Sequence, residues 1–164
     1  MNNLEYEIEN YLINNPNKVK IDSRDIKKGD VFFALEGKNT HGNKYISNAL
    51  KNCTKYVVTD KKWDKKFLNN ILKVQNSFDY LNRVATNKRN QFNGTVIAIT
   101  GSLGKTSIKE LLKFFLSSEG IISASIKSYN NYLGVLLSLI NMDKDSLFSI
   151  FEVGTNNFNE IKKL

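Results

Sequence analysis

Cysteine, proline and histidine each occur once in the 164 residues, as Cys53, Pro16 and His41. A single cysteine excludes an internal disulfide and fits a reducing, cytoplasmic setting. The one proline falls in "NNPN" at 14–17, where it stops a helix rather than marking a Pro-rich linker. A lone histidine reads as a plain surface residue before it reads as a catalytic one. No apolar run approaches the ~20 residues that a membrane-spanning helix needs, so no membrane insertion is expected. The N-terminal "MNNLEYEIENYLI" carries acids where a signal peptide would carry bases, so no export signal is expected either. Arginine is also scarce: only Arg24, Arg83 and Arg89 among 24 basic residues. Direct base readout leans on arginine, and the lysines are spread along the chain. The net charge of +8 therefore reads as a solvated basic surface and not as a nucleic-acid patch. Such a surface would still attract a phosphorylated small molecule.

What is present is enough apolar residue for a core, 41% of the chain, in a length that suits one domain or two small ones. Leu4, Ile8, Tyr11 and Leu12 recur at helical spacing over residues 2–15. "VFFAL" (31–35), "YVVT" (56–59) and "ILKVQ" (71–75) read as strands, with a short helix around Ile46, Ala49 and Leu50. Residues 77–92 read as a helix with Phe78, Leu81 and Ala85 on one face. "NG" at 93–94 then breaks the chain, and a domain boundary is expected near Asn93. Beyond it, "VIAIT" (96–100) is an apolar strand of the kind covered on both faces in a parallel sheet. A helix is expected over 106–118, with Ile108, Leu111, Leu112 and Phe115 inward and Gly120 closing it. "IISAS", a helix over 132–141, the strand "LFSIFEVG" (147–154) and a helix begun in "NEIKKL" complete the reading. Two α/β units follow: a small mixed sheet with helices over 1–93, then the beginning of a doubly wound parallel sheet from 94, with "VIAIT" and "FSIFEV" as parallel neighbours or near-neighbours.

The order strand, glycine turn, Lys, Thr, helix in "VIAITGSLGKTSIKELLKFF" (96–115) is the layout of a phosphate-binding loop. Backbone N–H groups from Gly101 to Lys105 can face phosphate oxygens, and the helix N-terminus adds its dipole. Lys105 would neutralise the β/γ-phosphates, and the Thr106 hydroxyl would ligate Mg²⁺. The long form of the motif has a further glycine where this chain has Ile99, so "TGSLGKT" is a shortened form. Glu152 ends a strand, where a carboxylate faces the ligand crevice of an open α/β sheet. Asn130 stands before a helix and reads as an N-cap.

Three ordered blocks, "IDSRDIKKGDVFFALEGKNTHGNKYISNAL", "TGSLGKTSIKE" with "YNNYLGV", and "EVG", together resemble the Mur ligases of peptidoglycan synthesis. The loop is closest to the branch that joins D-alanyl-D-alanine to UDP-N-acetylmuramoyl-tripeptide through an acyl phosphate. The resemblance implies a uridine-nucleotide-binding domain over 1–93 and a partial ATP-binding domain over 94–164. It implies that Gly101, Ser102, Leu103, Gly104, Lys105, Thr106, Ser107, Asn130 and Asn131 bind ATP. Lys105 and Glu152 would be catalytic, Thr106 and Glu152 would serve Mg²⁺, and Ser23 and Arg24 would contact the UDP-sugar. It implies a cytoplasmic protein, monomeric at full length.

The chain departs from the family at several positions. His41-Gly42-Asn43 stands where Asp-Gly-His is common, Leu136 where proline is usual, and Asn157 and Asn159 where His and Gly are usual. Mur ligases are three-domain proteins, and the chain stops soon after Glu152, so it reads as the N-terminal part of a ligase that is inactive by itself. Three alternatives stay open at this point: the sister ligase that adds the third amino acid, an unrelated P-loop kinase or NTPase, and a non-catalytic nucleotide-sugar-binding module.

Overall fold

The computed structural model describes residues 3–63, 69–125 and 130–154. The helix expected in "NEIKKL", together with Asn157 and Asn159, lies outside the described residues. The chain divides into two compact units, Met1–Val84 and Ala85–Leu164. The division falls within a helix, upstream of the "NG" break.

The first unit starts with α1 (Asn3–Asn14), followed by β1 (Val19–Lys20) and β2 (Val31–Ala34). A 3₁₀ turn (Gly42–Tyr45) leads into α2 (Ile46–Lys51), then β3 (Tyr56–Thr59), β4 (Ile71–Lys73) and α3 (Ser77–Gln91). The strands pair in sequence order, β1-β2-β3-β4, and each pair is parallel. The expectation of a mixed sheet is corrected here. Every described connection between successive strands is a crossover or a long excursion, and none is the tight hairpin that an antiparallel neighbour would use.

Alternation along the strands fills both faces of this sheet. Phe32, Ala34 and Val57 point to one side, where they form a cluster with Ile26 and with Ile46 and Ala49 of α2. On the other side Phe33 stacks on Tyr80 of α3, and Tyr56 meets Tyr11 of α1 edge to face. Ile8, Leu12 and Leu81 are completely buried. β2 and β3 are buried at every position, as parallel strands covered on both faces must be.

The second unit contains β5 (Thr95–Ile99), α4 (Lys105–Leu116), β6 (Ile122–Ala124), α5 (Tyr132–Asn141) and β7 (Phe148–Glu152). The order is β5-β7-β6, all parallel, so "VIAIT" and "FSIFEV" are direct neighbours in register Ile99↔Glu152. Two expectations are corrected. β5 is not covered on both faces: it is an edge of the described sheet, Val96 and Ile97 are half-buried and Ala98 is exposed, whereas central β7 is buried from Ser149 to Glu152.

The second correction concerns α4. Ile108, Leu111 and Phe115 were expected inward, but they are 47%, 55% and 61% exposed. The stripe that meets the sheet is Lys105, Lys109, Leu112 and Leu116, one residue round the helix from the apolar stripe. Of the four residues expected inward, only Leu112 is on it. The helix ends at Leu116 with Ser117 as C-cap, and Gly120 lies in the turn beyond.

Candidate nucleotide and cation site

The turn after β5 sits at the carboxyl end of the parallel strands, where open α/β sheets hold ligands. Gly104 is the N-cap of α4 at φ 76°, the left-handed region that glycine enters without a Cβ clash. Its carbonyl accepts from Ile108 N at 2.9 Å, the first bond of the helix. Ser102 and Leu103 are exposed. The Lys105 ammonium folds back on its own loop and donates to the Gly101 carbonyl at 2.5 Å. The first turn of a twelve-residue helix therefore presents its free N–H groups beside a cation, a combination suited to phosphate.

Glu152 closes β7 against this turn. Its Oε2 accepts from Thr106 Oγ1 at 3.1 Å. Its Oε1 lies 2.9 Å from Lys109 Nζ, and this ion pair is almost wholly buried, with side-chain exposures of 3% and 1%. Oε1 takes no aligned hydrogen bond. Lys109 also donates to the carbonyl of Ser125 at 3.1 Å, just past β6. The Glu152 backbone N–H donates to Ser125 Oγ at 3.3 Å. Among the described residues no group of three or more His, Cys, Asp and Glu is placed to hold a metal. The pair formed by the Thr106 hydroxyl and the Glu152 carboxylate would instead suit Mg²⁺, which keeps several waters and binds through one or two protein oxygens plus phosphates. The hydroxyl of Thr106 and the buried Oε1 of Glu152, with no aligned donor, are the oxygens on offer.

The two asparagines have different work. Asn131, not Asn130, is the N-cap of α5, its Oδ1 accepting from Gly134 N at 2.8 Å. Asn130 lies against Gly154: its carbonyl accepts from Gly154 N at 2.7 Å. A Cβ at position 154 would come within 2.8 Å of the Asn130 side chain. The sequence order Asn-Asn thus separates into a helix cap and a residue seated at the end of β7.

In the first unit, Ser23 and Arg24 follow β1 at the carboxyl end of its sheet. Ser23 is buried; its Oγ accepts from Asn48 Nδ2 at 3.0 Å and its carbonyl accepts from Asn52 Nδ2. Arg24 is exposed and forks onto Asp22, with Nε to Oδ1 at 2.9 Å and Nη2 to Oδ2 at 2.5 Å. That hydrogen-bonded guanidinium holds the Asp22 carboxyl down to about 2. His41 is not a plain surface residue. Its Nδ1 accepts from Asn43 N at 3.0 Å, so Nε2 carries the proton toward Asp60 Oδ1 at 2.9 Å. Asp60 Oδ2 in turn accepts from Ser77 N at the start of α3. Asn43, the residue after Gly42, accepts from the Thr59 hydroxyl. Sequence reasoning missed Asp60, Lys109 and Ser125. Only Lys109 left a local signal, as the lysine four residues after Lys105 in "GKTSIKE".

Residues 17–92 match the Mur ligase family catalytic domain, and residues 99–164 match the Mur ligase middle domain. A UDP-N-acetylmuramoyl-tripeptide–D-alanyl-D-alanine ligase of Rickettsia prowazekii is 43% identical over 150 residues, which is 92% of this chain and 33% of that protein. The crystal structure of MurF from Acinetobacter baumannii superposes with a TM-score of 0.75 at 29% identity, covering 87% of this chain and 31% of that one. MurF ligase from Thermotoga maritima, solved in complex with ADP, gives a TM-score of 0.71 at 28% identity over 98% of this chain and 35% of its own. The chain spans about a third of the length of the curated relatives it matches.

Proposed function

The chain belongs to the Mur ligase family, and from that premise we propose that it carries the nucleotide-sugar and phosphate-binding parts of a cytoplasmic, monomeric ligase. That ligase joins D-alanyl-D-alanine to UDP-N-acetylmuramoyl-tripeptide at the expense of ATP. The observation that supports this reading best is the Thr106–Glu152 contact beneath the glycine turn. It puts a hydroxyl, a carboxylate and the N-terminus of α4 at one end of one sheet. The choice of branch rests on "TGSLGKTSIKE" and on the Rickettsia relative.

In this reading residues 1–93 bind the UDP-sugar, with Ser23 and Arg24 beside it, and residues 94–164 bind ATP. Backbone N–H groups from Gly101 to Ser107 receive the phosphates. Lys105 leaves the Gly101 carbonyl to meet the β/γ-phosphates. Asn130 and Asn131 line the phosphate side of the crevice. The carboxylate of the tripeptide takes the γ-phosphoryl group of ATP and releases ADP, and the amine of D-alanyl-D-alanine then attacks the acyl phosphate, forming the amide and expelling phosphate. Two anions must approach each other in the first step, so fixed positive charge from Lys105 and from the N-terminus of α4 lowers its barrier. Thr106 and Glu152 would hold Mg²⁺, which when bound adds to that screening.

Calorimetry on the purified chain tests the reading. Mg²⁺–ADP and UDP-N-acetylmuramoyl-tripeptide should each bind, and Lys105→Ala should abolish the first while leaving the second intact. Binding of ADP without the UDP-sugar would favour an unrelated P-loop protein. Binding of the UDP-sugar without ADP would favour a nucleotide-sugar module. Binding of neither would sink the proposal.

A further inference from the structure

Lys109 is the only buried residue of α4. A lysine that deep must be compensated, because an unpaired ammonium in a protein interior is strongly unfavourable. Two of its contacts belong to the site, Glu152 Oε1 at 2.9 Å and the Ser125 carbonyl at 3.1 Å, and Glu110 Oε1 stands more loosely at 3.5 Å. Glu152 has the mirror problem. It is 1% exposed, and the hydroxyl of Thr106 is a neutral partner. The one cation in contact with its carboxylate among the described residues is Lys109.

We infer that Lys109 is a positioning residue, a tethered counter-cation that holds the Glu152 carboxylate in place before a divalent ion arrives and then competes with that ion for it. This rests on the reading of Thr106 and Glu152 as a cation site. The geometry explains how one carboxylate serves both. Oε2 faces Thr106 at the first turn of α4, and Oε1 faces Lys109 one turn further along the same helix. When a divalent ion draws on Glu152, Lys109 keeps the Ser125 carbonyl and so is not stranded. A fixed positive charge within a few ångströms also opposes a second cation. The lysine therefore weakens the intrinsic affinity of the site, and the deficit leaves room for a nucleotide's phosphates to complete it.

The test uses Mn²⁺ alone, followed by electron paramagnetic resonance on the purified chain at low ionic strength. Lys109→Met, which keeps the stem and drops the charge, should bind Mn²⁺ about tenfold more tightly than the unaltered chain. Adding Glu152→Gln should erase that gain. A lysine with a merely structural role would leave Mn²⁺ affinity unchanged. Unchanged or weaker binding in Lys109→Met overturns the inference, and so does a gain that survives Glu152→Gln. If Lys109→Met is unfolded without metal, Mn²⁺ should restore its helical far-UV signal by replacing the lost cation, and failure to do so overturns the inference equally. The ligase reading stands or falls separately on the Mg²⁺–ADP and UDP-sugar measurements.

Discussion

Thr106 Oγ1 donates to Glu152 Oε2 at 3.1 Å and so ties the first turn of α4 to the last residue of β7. The contact gives Thr106 two duties, one structural and one toward a cation. Thr106→Val keeps the shape and removes the donor. Stability should fall by only about 0.5–1.5 kcal/mol, the net worth of one hydrogen bond. ADP affinity in Mg²⁺ should fall about tenfold, whereas ADP affinity in EDTA should hold, because the hydroxyl acts through the cation. Calorimetry in the two buffers separates the cases. An equal loss in both would remove Thr106 from the cation site.

A second expectation concerns pH. Lys88 on α3 is 2% exposed and donates to the carbonyl of Ile140 near the end of α5. Burial pushes its ammonium down from 10.5 to about 8, with Asp143 acting the other way. Folded-state affinity for the proton is thus below the unfolded value. The penalty is present in full below about pH 8 and is relieved as pH rises toward the unfolded value, so stability should increase through that window. Between pH 7.5 and 9.5 the rise should be on the order of 2 kcal/mol. Burial raises the Tyr56 hydroxyl to about 12, with Glu7 adding to the effect. It raises Tyr80 as well. These two oppose the trend only near and above pH 10, outside the window. Urea unfolding at the two pH values checks the rise, and Lys88→Met should flatten it. Stability that is level or falling in the unaltered chain would contradict the assignment.

Two glycines near the site should respond differently to the same methyl group. At Gly154 a Cβ would stand 2.8 Å from Asn130 Cγ and 3.0 Å from the Asn130 carbonyl oxygen. Backbone must move, so Gly154→Ala should cost about 1–3 kcal/mol. At Gly104 a Cβ would meet no described residue within 4 Å other than its neighbours along the chain. There only the φ of 76° resists, for about 1–2 kcal/mol. Thermal unfolding measures both. The discriminating readout is ADP binding: Gly154→Ala displaces Asn130 and should weaken it, and Gly104→Ala changes the loop backbone itself and should weaken it more.

Local pattern made some of this legible and hid the rest. "VFFA" and "YVVT" were readable because fully buried parallel strands are short apolar runs, and α5 matched its expected span because its breakers flank it closely. β1 left no trace, since two residues, Val19 and Lys20, carry no period. The face of α4 was misassigned for a deeper reason. Periodicity says which residues share a face and not what covers that face. Ile108, Leu111 and Phe115 do share a face, but the sheet is met by the stripe through Lys109. The glycine turn and Lys105 were readable because the motif is contiguous. Lys109 as a buried partner of Glu152 was not, because a lysine in an amphipathic helix reads as solvated until its distant carboxylate is placed beside it.

The misassigned face carries the last prediction. Ile108, Leu111, Phe114 and Phe115 of α4 are 47–73% exposed, and Phe114 and Phe115 meet each other edge to face. Contiguous apolar surface of this kind promotes association. The double substitution Leu111→Glu with Phe114→Lys should leave the stability of this chain within about 0.5 kcal/mol, since neither side chain has much burial to lose. It should also shift the chain toward monomer at high concentration in sedimentation velocity. Phe33→Ala supplies the contrast. That ring is completely buried between β2 and Tyr80, and its removal should cost about 3–5 kcal/mol. If the α4 pair destabilised the chain as strongly as Phe33→Ala, the face would be part of a core, and the inward stripe through Lys105, Lys109, Leu112 and Leu116 would be wrong.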